Sequence, residues 1–268
     1  MGFSAKNSNS YPLGKGLLLQ GIRVKIYVHK TCASSYSLFR GLREKGLLER
    51  VEIVEAKAPL DERGRLIWSV PWVLFDGEVL AGDPVDPVVI ESAVKGSKID
   101  VGDPVEAFME TILHSSLASS IAVLSQSLEP VLDVSLASAA VRSPLSGLNP
   151  RDVLKSVEAR ASELYSEWSG KLARALAIGF VRELWWARGG TLDPGGLESI
   201  VSSGGFRLWL LAKGSLGRVG LPADPRLVAG YREVGEAEDF LLKTGPALIR
   251  RVEREQTGIL GDREWMSL

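Results

Sequence analysis

The sequence predicts an α/β domain followed by an all-helical domain. Three observations lead to this prediction: a strand, a helix and a second strand follow one another early in the chain, an Asp-Gly pair divides two short apolar runs, and long helical patterns replace strands after Gly102. A chain of 268 residues has room for two modest domains. We place the boundary in the stretch 96–103, so that the α/β domain covers residues 21–96, the helical domain covers residues 103–268, and residues 1–20 form a loose arm.

The composition is that of an ordinary globular protein, with 45% hydrophobic and 24% charged residues. A net charge of −1 gives no overall attraction to nucleic acid or to an anionic membrane, and we expect neither as a partner. The sequence begins without the features of a secretory signal, and its one cysteine excludes an intrachain disulfide, so we expect a cytoplasmic protein. Asn and Gln together number only six, a bias that is typical of heat-adapted proteins and predicts a thermostable chain.

The α/β domain is predicted to begin with a strand, a helix and a second strand. A β-branched apolar run predicts the first strand at residues 22–28. Apolar residues at three- and four-residue steps then predict a helix at residues 34–45, which Gly46 ends. An alternating run predicts the second strand at residues 51–56, and the crossover helix makes the two strands parallel.

A β-hairpin is predicted next, because Asp76-Gly77 separates two short apolar runs. A short helix with Pro87 in its first turn is expected to close this domain at residues 88–95. The periodicity of the remaining chain predicts long helices at residues 104–126, 151–188 and 247–256.

Cys32, the only cysteine, lies where the first predicted strand gives way to the first predicted helix. Backbone N–H groups and the positive end of a helix dipole favour a thiolate at such a position. This placement supports the hypothesis of a reactive thiol. The alternative is a cysteine that serves only in packing, because free cysteine is among the most buried residue types.

Three short motifs carry a family resemblance. Cys32-Ala33-Ser34-Ser35 stands in the place of a C-x-x-C or C-x-x-S motif, Ser69-Val70-Pro71 precedes the hairpin like a T-V-P element, and Gly82-Asp83 follows the hairpin. With these motifs, residues 22–95 resemble the thioredoxin-like superfamily, and within it the glutaredoxins and the N-terminal domains of glutathione transferases. The helical remainder is similar to a transferase C-terminal domain in its architecture, so the resemblance implies a two-domain protein of that type.

The resemblance implies that Cys32 is the nucleophile and that Pro71 follows a cis peptide bond and faces the cysteine. The backbone of Val70 would then be free to pair with an extended peptide that contains a thiol. Ser35 stands where dithiol members carry a second cysteine, so the resemblance implies a one-cysteine mechanism, in which Ser35 assists and an external thiol resolves the mixed disulfide.

Several side chains near the cysteine are candidate substrate-binding groups. Hydroxyls of the turn and of the first helix would donate hydrogen bonds to a thiolate, and a lysine would stabilise it electrostatically. The acidic residue after the hairpin resembles the glutaredoxin aspartates that meet an amino group, and a tryptophan follows the proline of the T-V-P-like element. The candidates are Lys30, Thr31, Val70, Pro71, Trp72 and Asp83.

These features predict a thiol-disulfide oxidoreductase or thiol transferase of the glutaredoxin-like type, acting on a small thiol or a protein disulfide. The resemblance implies no tightly bound cofactor and makes glutathione or another small thiol the expected cosubstrate. It is compatible with a homodimer. Two alternatives are a glutathione-transferase-like conjugating enzyme, in which Cys32 or Ser35 activates a bound thiol, and a non-catalytic interaction protein with a thioredoxin fold. Two histidines and one cysteine are too few for a structural zinc site, so we expect no metal.

Overall fold

The structure, a computed structural model, describes residues 23–215 and 223–268. The predicted arm at residues 1–20 and the start of the first predicted strand at Ile22 lie outside the described residues. Within the described part, the strands are β1 Val24–Val28, β2 Glu52–Glu55, β3 Trp72–Phe75 and β4 Glu78–Gly82.

Helices occupy most of the described chain, and almost all of the residues after Gly102 belong to them. Short 3-10 turns lie at Leu48–Arg50 and Glu129–Val131. The α-helices are α1 Ala33–Glu44, α2 Pro87–Lys95, α3 Pro104–His114, α4 Ser116–Ser125, α5 Val134–Val141, α6 Ser143–Ser146, α7 Pro150–Glu158, α8 Ala161–Ala187, α9 Pro194–Ser202, α10 Gly205–Gly214, α11 Pro225–Val228, α12 Arg232–Gly261 and α13 Arg263–Met266.

The four strands form one mixed sheet in the order β2-β1-β3-β4. β1 runs parallel to β2, whereas β3 is antiparallel to both β1 and β4. Asp76 and Gly77 both have positive φ, at 52° and 77°, which is the backbone that a two-residue hairpin turn requires. The predicted parallel unit and the predicted hairpin are therefore both confirmed, and the N-terminal region is an α/β arrangement followed by a mostly helical remainder.

Both faces of the sheet are buried, and each face packs against a different set of helices. Ile26 and Val73 belong to a core that includes residues of α1, α2 and α13. Tyr27, Trp72 and Leu74 point the other way and join the larger core of the helical region. Because side chains alternate along a strand, one apolar run can supply both cores, and β3 is therefore apolar at every position.

The predicted helix at residues 104–126 is two helices, α3 and α4, bent by 97°. The break is at Ser115, which has an extended backbone and is fully buried. Its hydroxyl accepts a hydrogen bond from the Ala118 N–H at 3.1 Å and donates one to the carbonyl of Trp68. A serine that caps a new helix in this way can end one helix and start the next without leaving a buried polar group unpaired.

Two other helical predictions differ from the structure in their extent. The helix predicted at 151–188 is divided into α7 and α8, with the break at residues 159–160. The helix predicted at 247–256 is the second half of α12, whose 30 residues include Pro246. A proline removes one backbone hydrogen bond, and the long buried face of α12 against α8 outweighs that loss, so the helix continues through it.

Among the described helices, none is both long and apolar enough to cross a membrane by itself. The bent pair of α3 and α4 passes that test when the two helices are taken together, on length and composition alone.

We predict that Leu74→Ala lowers the free energy of unfolding by about 2–5 kcal/mol, because it opens a cavity where the sheet meets the helical core. Leu74 is only 1% exposed. Denaturant unfolding followed by circular dichroism measures the change. Leu208→Ala is the control, at a side chain that is 70% exposed, and should change stability by less than about 0.5 kcal/mol. Similar losses for the two variants would contradict this packing.

Candidate active site around Cys32

Cys32 is the residue that caps the N-terminus of α1. Its backbone N–H donates to the carbonyl of His29 at 2.9 Å, which closes the turn after β1. Its sulfur accepts the backbone N–H of Ser35, with N and Sγ 3.5 Å apart. The thiol in turn donates to the carbonyl oxygen of Val70 at 3.1 Å. The cysteine is thus fixed between the first helix and the segment that precedes β3.

The Val70–Pro71 peptide bond is cis, as the family resemblance implies. The pairing of β1 with β3 brings this bond to the cysteine, because Tyr27 near the end of β1 lies opposite Trp72 at the start of β3. The residues that follow β1 and those that precede β3 therefore meet at the same edge of the sheet. A second cis bond, between Asp83 and Pro84, follows β4.

A cavity of about 950 Å³ opens at this edge, between the sheet and the helices. Thr31, Cys32, Ser34, Val70 and Asp83 line it from the sheet side. The charged and aromatic groups on the helical side are His114, Arg182, Glu183, Trp186, Lys213, Arg251 and Glu255.

Asp83 contributes a buried carboxylate to the cavity wall. It is only 8% exposed, and its Oδ1 atom is buried without a hydrogen-bond partner among the described residues. Burial raises the pKa of Asp83 from 3.8 to about 6, against the opposing effects of the Ser34 hydroxyl and of the positive charges of His114 and Arg182. Such an oxygen is ready to accept a hydrogen bond from a cationic or N–H group of a ligand.

Burial also raises the pKa of the Cys32 thiol, and the negative charge of Asp83 raises it further. Hydrogen bonds from Ser35 and Ser34 oppose this shift but do not reverse it. The expectation that the helix N-terminus favours a thiolate is therefore outweighed, since the loss of hydration around the sulfur has the larger effect. Without a ligand the group is a thiol at neutral pH.

Ser35 and Thr31 hold the turn around the cysteine. Ser35 is fully buried, and its hydroxyl oxygen lies 3.5 Å from the backbone N–H of His29. Thr31 lines the cavity, with its Oγ1 2.8 Å from Nδ1 of His29. Both residues lie beside Cys32 as predicted. The Ser35 hydroxyl also forms a hydrogen bond with the sulfur, which opposes the rise in the pKa of the thiol, whereas the Thr31 hydroxyl pairs with His29.

Three predicted binding residues, Lys30, Pro71 and Trp72, are not among the described residues that line the cavity. The ammonium of Lys30 points to the C-terminus, where it donates to the carbonyl of Met266 at 3.0 Å. Pro71 is buried. Trp72 is fully buried, and its indole lies over Gly82, where an added Cβ would come within 2.9 Å of the ring. The absence of a side chain at residue 82 thus leaves room for the indole.

Arg182 and Glu255 are site residues that the sequence analysis missed. A signal for Arg182 exists, because it continues the apolar stripe of the helix at four- and three-residue steps through Ala175 and Gly179. A single charged residue on an otherwise buried helix face is a candidate for function. Glu255 offers no such signal, because charged residues surround it in the sequence.

Comparisons with family models, curated proteins and solved structures found no match for this chain. Among the described residues, no group of three His, Cys, Asp or Glu side chains is placed to hold a metal ion.

We predict that Asp83→Asn stabilises the protein at pH 8 and has little effect near pH 4. Because the pKa of Asp83 is raised in the folded state to about 6, the folded protein holds a proton that the unfolded chain has lost between the two pKa values, so stability falls as the pH rises through that window. The shift corresponds to about 3 kcal/mol at most. Urea unfolding of both proteins at pH 4.5 and pH 8 tests this, and a pH-independent difference would contradict it.

Proposed function

We propose that the chain catalyses thiol-disulfide exchange or thiol transfer of the glutaredoxin-like type, with Cys32 as its nucleophile. The observation that carries this proposal is that Cys32 lines a cavity of about 950 Å³, with its sulfur 3.1 Å from the Val70 carbonyl. A thiol that served only in packing would not need open space beside it.

The arrangement around the sulfur supports a thioredoxin-like reading of the N-terminal region. The β-α-β-β-α order, the parallel first pair of strands and the antiparallel hairpin match what the resemblance implies. The cis Val70–Pro71 bond lies directly across from Cys32, the cysteine that caps the first helix. These features are independent of one another in the sequence, and they meet at one point of the fold.

The proposed reaction has two exchange steps. In the first, the deprotonated Cys32 sulfur attacks one sulfur of a disulfide, a Cys32–sulfur bond forms, the original S–S bond breaks, and the other half leaves as a thiolate that takes a proton. In the second, an external thiol loses its proton and attacks the mixed disulfide, so that Cys32 leaves as a thiolate. One disulfide and one thiol are consumed and one disulfide and one thiol are formed, so no further oxidant or reductant is needed.

The first step requires a thiolate, which the resting site disfavours. A substrate ammonium group placed at the unpartnered Oδ1 of Asp83 would cancel the negative charge that raises the pKa of Cys32. The cosubstrate would therefore be a small thiol with an amino group, such as glutathione, or another thiol of that class. Under this proposal, binding of the substrate activates the nucleophile.

The same raised pKa favours one alternative, a conjugating enzyme of the glutathione-transferase type. A cysteine that stays protonated can donate a hydrogen bond to the thiolate of a bound cosubstrate, which would then attack an electrophile without any covalent bond to Cys32. The apolar part of the cavity wall, with Leu117, Ile178 and Trp186, would accommodate such an electrophile.

We expect cystamine, a small disulfide with two ammonium groups, to add one cysteamine to the native protein, and a small thiol to remove it. Cys32→Ser abolishes the adduct, since no other cysteine is present. Intact-mass spectrometry measures both steps. If the native protein stays unlabelled while the urea-unfolded protein reacts, the exchange proposal fails. Conjugation of a small thiol to an electrophile by Cys32→Ser would then favour the transferase alternative.

We also expect Asp83→Asn to lower the pH at which iodoacetamide alkylates Cys32 at half of its maximal rate, because removal of the neighbouring negative charge lowers the pKa of the thiol. Alkylation rates between pH 6 and 10 give the midpoints. Asp239→Asn, at an exposed carboxylate on α12, is the control and should leave the midpoint unchanged. An unchanged midpoint in Asp83→Asn would exclude the proposed coupling.

A further inference from the structure

Arg182 lines the cavity from the C-terminal third of α8, beside both small and large residues of that helix. Ala175 and Gly179 precede it at four- and three-residue steps and also line the cavity. At residue 179, a Cβ would meet only the far edge of Trp209, at 3.8 Å. Arg182 is among the residues that line the cavity, so a ligand in that space can contact it.

The guanidinium is held in one orientation by a network on α12. Arg182 donates through Nε and Nη2 to the two carboxylate oxygens of Glu255, at 2.7 and 3.2 Å. The amide of Gln256 donates to the same carboxylate at 2.8 Å, and accepts the indole N–H of Trp186 at 2.9 Å. Both residues of the ion pair are more than two-thirds buried. A guanidinium fixed in this way loses little freedom when it binds a ligand.

Glu255 occupies only part of the hydrogen-bonding capacity of Arg182. A guanidinium has five N–H donors, and the hydrogen bonds of Arg182 to described residues use two of them, both directed to Glu255. The remaining donors suit a planar oxyanion, because one N–H on each terminal nitrogen points in the same direction and such a parallel pair matches the two oxygens of a carboxylate. Arg251 lines the same wall and adds positive charge to it, whereas Lys213 is paired with Glu183, which also lines the cavity.

Asp83 faces the cavity from the opposite side and carries the opposite charge. The two groups influence each other electrostatically. Burial raises the pKa of Asp83 and the positive charge of Arg182 opposes part of that rise; burial lowers the pKa of Arg182, whereas Glu255 and, to a lesser extent, the negative charge of Asp83 raise it. The Cys32 sulfur is close enough to influence both groups. The thiol therefore lies beside an unpartnered anionic oxygen and a fixed cation with unused donors.

We infer that the cavity selects thiols and disulfides that carry an α-amino-acid group, with the ammonium bound at Asp83 and the carboxylate bound by Arg182. This inference rests on the proposed thiol exchange at Cys32 and adds the helical wall to the site as a carboxylate-binding surface. An amino-acid group presents both charges on one carbon, so a single ligand of this class can offer its ammonium to Asp83 and its carboxylate to Arg182. A ligand with only one of the charges would bind to only one of the two residues, Asp83 or Arg182.

Four symmetrical disulfides of nearly equal size test the inference. Cystine carries both charges, cystamine carries only the ammonium, 3,3′-dithiodipropionate carries only the carboxylate, and bis(2-hydroxyethyl) disulfide carries neither. Homocystine, which has one more methylene on each side, is included to test a longer distance between the sulfur and the charged groups. Rates of mixed-disulfide formation at Cys32, each divided by the rate of a free small thiol with the same disulfide, are measured by intact mass at pH 8.

We expect cystine or homocystine to react at least about 10-fold faster than the other three disulfides, since one charge-assisted hydrogen bond is worth about a factor of ten. In Arg182→Met, the rate with the amino-acid disulfide falls by about that factor, whereas the rate with cystamine stays the same or rises. The ratio of the two rates cancels any change in the pKa of the thiol. Arg174→Met, at an exposed arginine of the same helix, is the control and keeps the wild-type ratio.

Arg182→Met leaves the Glu255 carboxylate buried without its partner, which can prevent folding. If the single variant does not fold, the double variant Arg182→Met/Glu255→Gln, which also removes that charge, is measured in its place. An unchanged ratio in either variant overturns the assignment to Arg182. Equal normalised rates for all disulfides with the wild-type protein overturn the inference but leave thiol exchange intact. Absence of reaction with every disulfide overturns the proposed function as well, so the two failures are distinguishable.

Discussion

The cavity exists because the helical region buries the second face of the sheet. Leu74 and Trp72 point into the helical core from β3, and the buried hydroxyl of Ser115 donates to the carbonyl of Trp68 just before that strand. The Trp68 indole N–H also donates to Asp133, 3.1 Å away. These contacts fix the helices over the sheet but end at its edge, where the turn of Cys32 begins. The space that remains between sheet edge and helices is the site.

The other side of the Cys32 turn is held by the C-terminus of the described chain. Trp265 is fully buried, packs its ring at a tilt against Tyr36 and Phe39 of α1, and donates its indole N–H to the carbonyl of Lys30 at 2.9 Å. The ammonium of Lys30 donates back to the carbonyl of Met266. The turn before the cysteine is therefore clamped by residues more than two hundred positions away. Rigid support of this kind keeps a nucleophile aligned with the groups that face it.

Sequence patterns predicted the elements that depend on local rules. The turn at Asp76-Gly77 follows from its need for positive φ, and the start of α1 at Cys32 follows from the change of periodicity. Two kinds of feature could not be predicted in this way. The burial that raises the pKa of Cys32 depends on how closely the helices approach, and the contribution of Arg182 depends on which face of α8 docks at the sheet edge. Both are set by tertiary packing, which the local periodicity of the sequence does not determine.

The electrostatics of the site connect these elements. Burial alone would keep Cys32 as an inert thiol, and the charge of Asp83 strengthens that effect. The cationic wall around Arg182 acts in the opposite sense, but Glu255 already compensates much of its charge. Under the proposed function, an ammonium bound at Asp83 would offset the negative charge that adds to the effect of burial, so the balance would shift toward the thiolate while a ligand is present. A nucleophile controlled in this way reacts little with thiols and disulfides that lack the recognised group, and selectivity and activation then have the same physical origin.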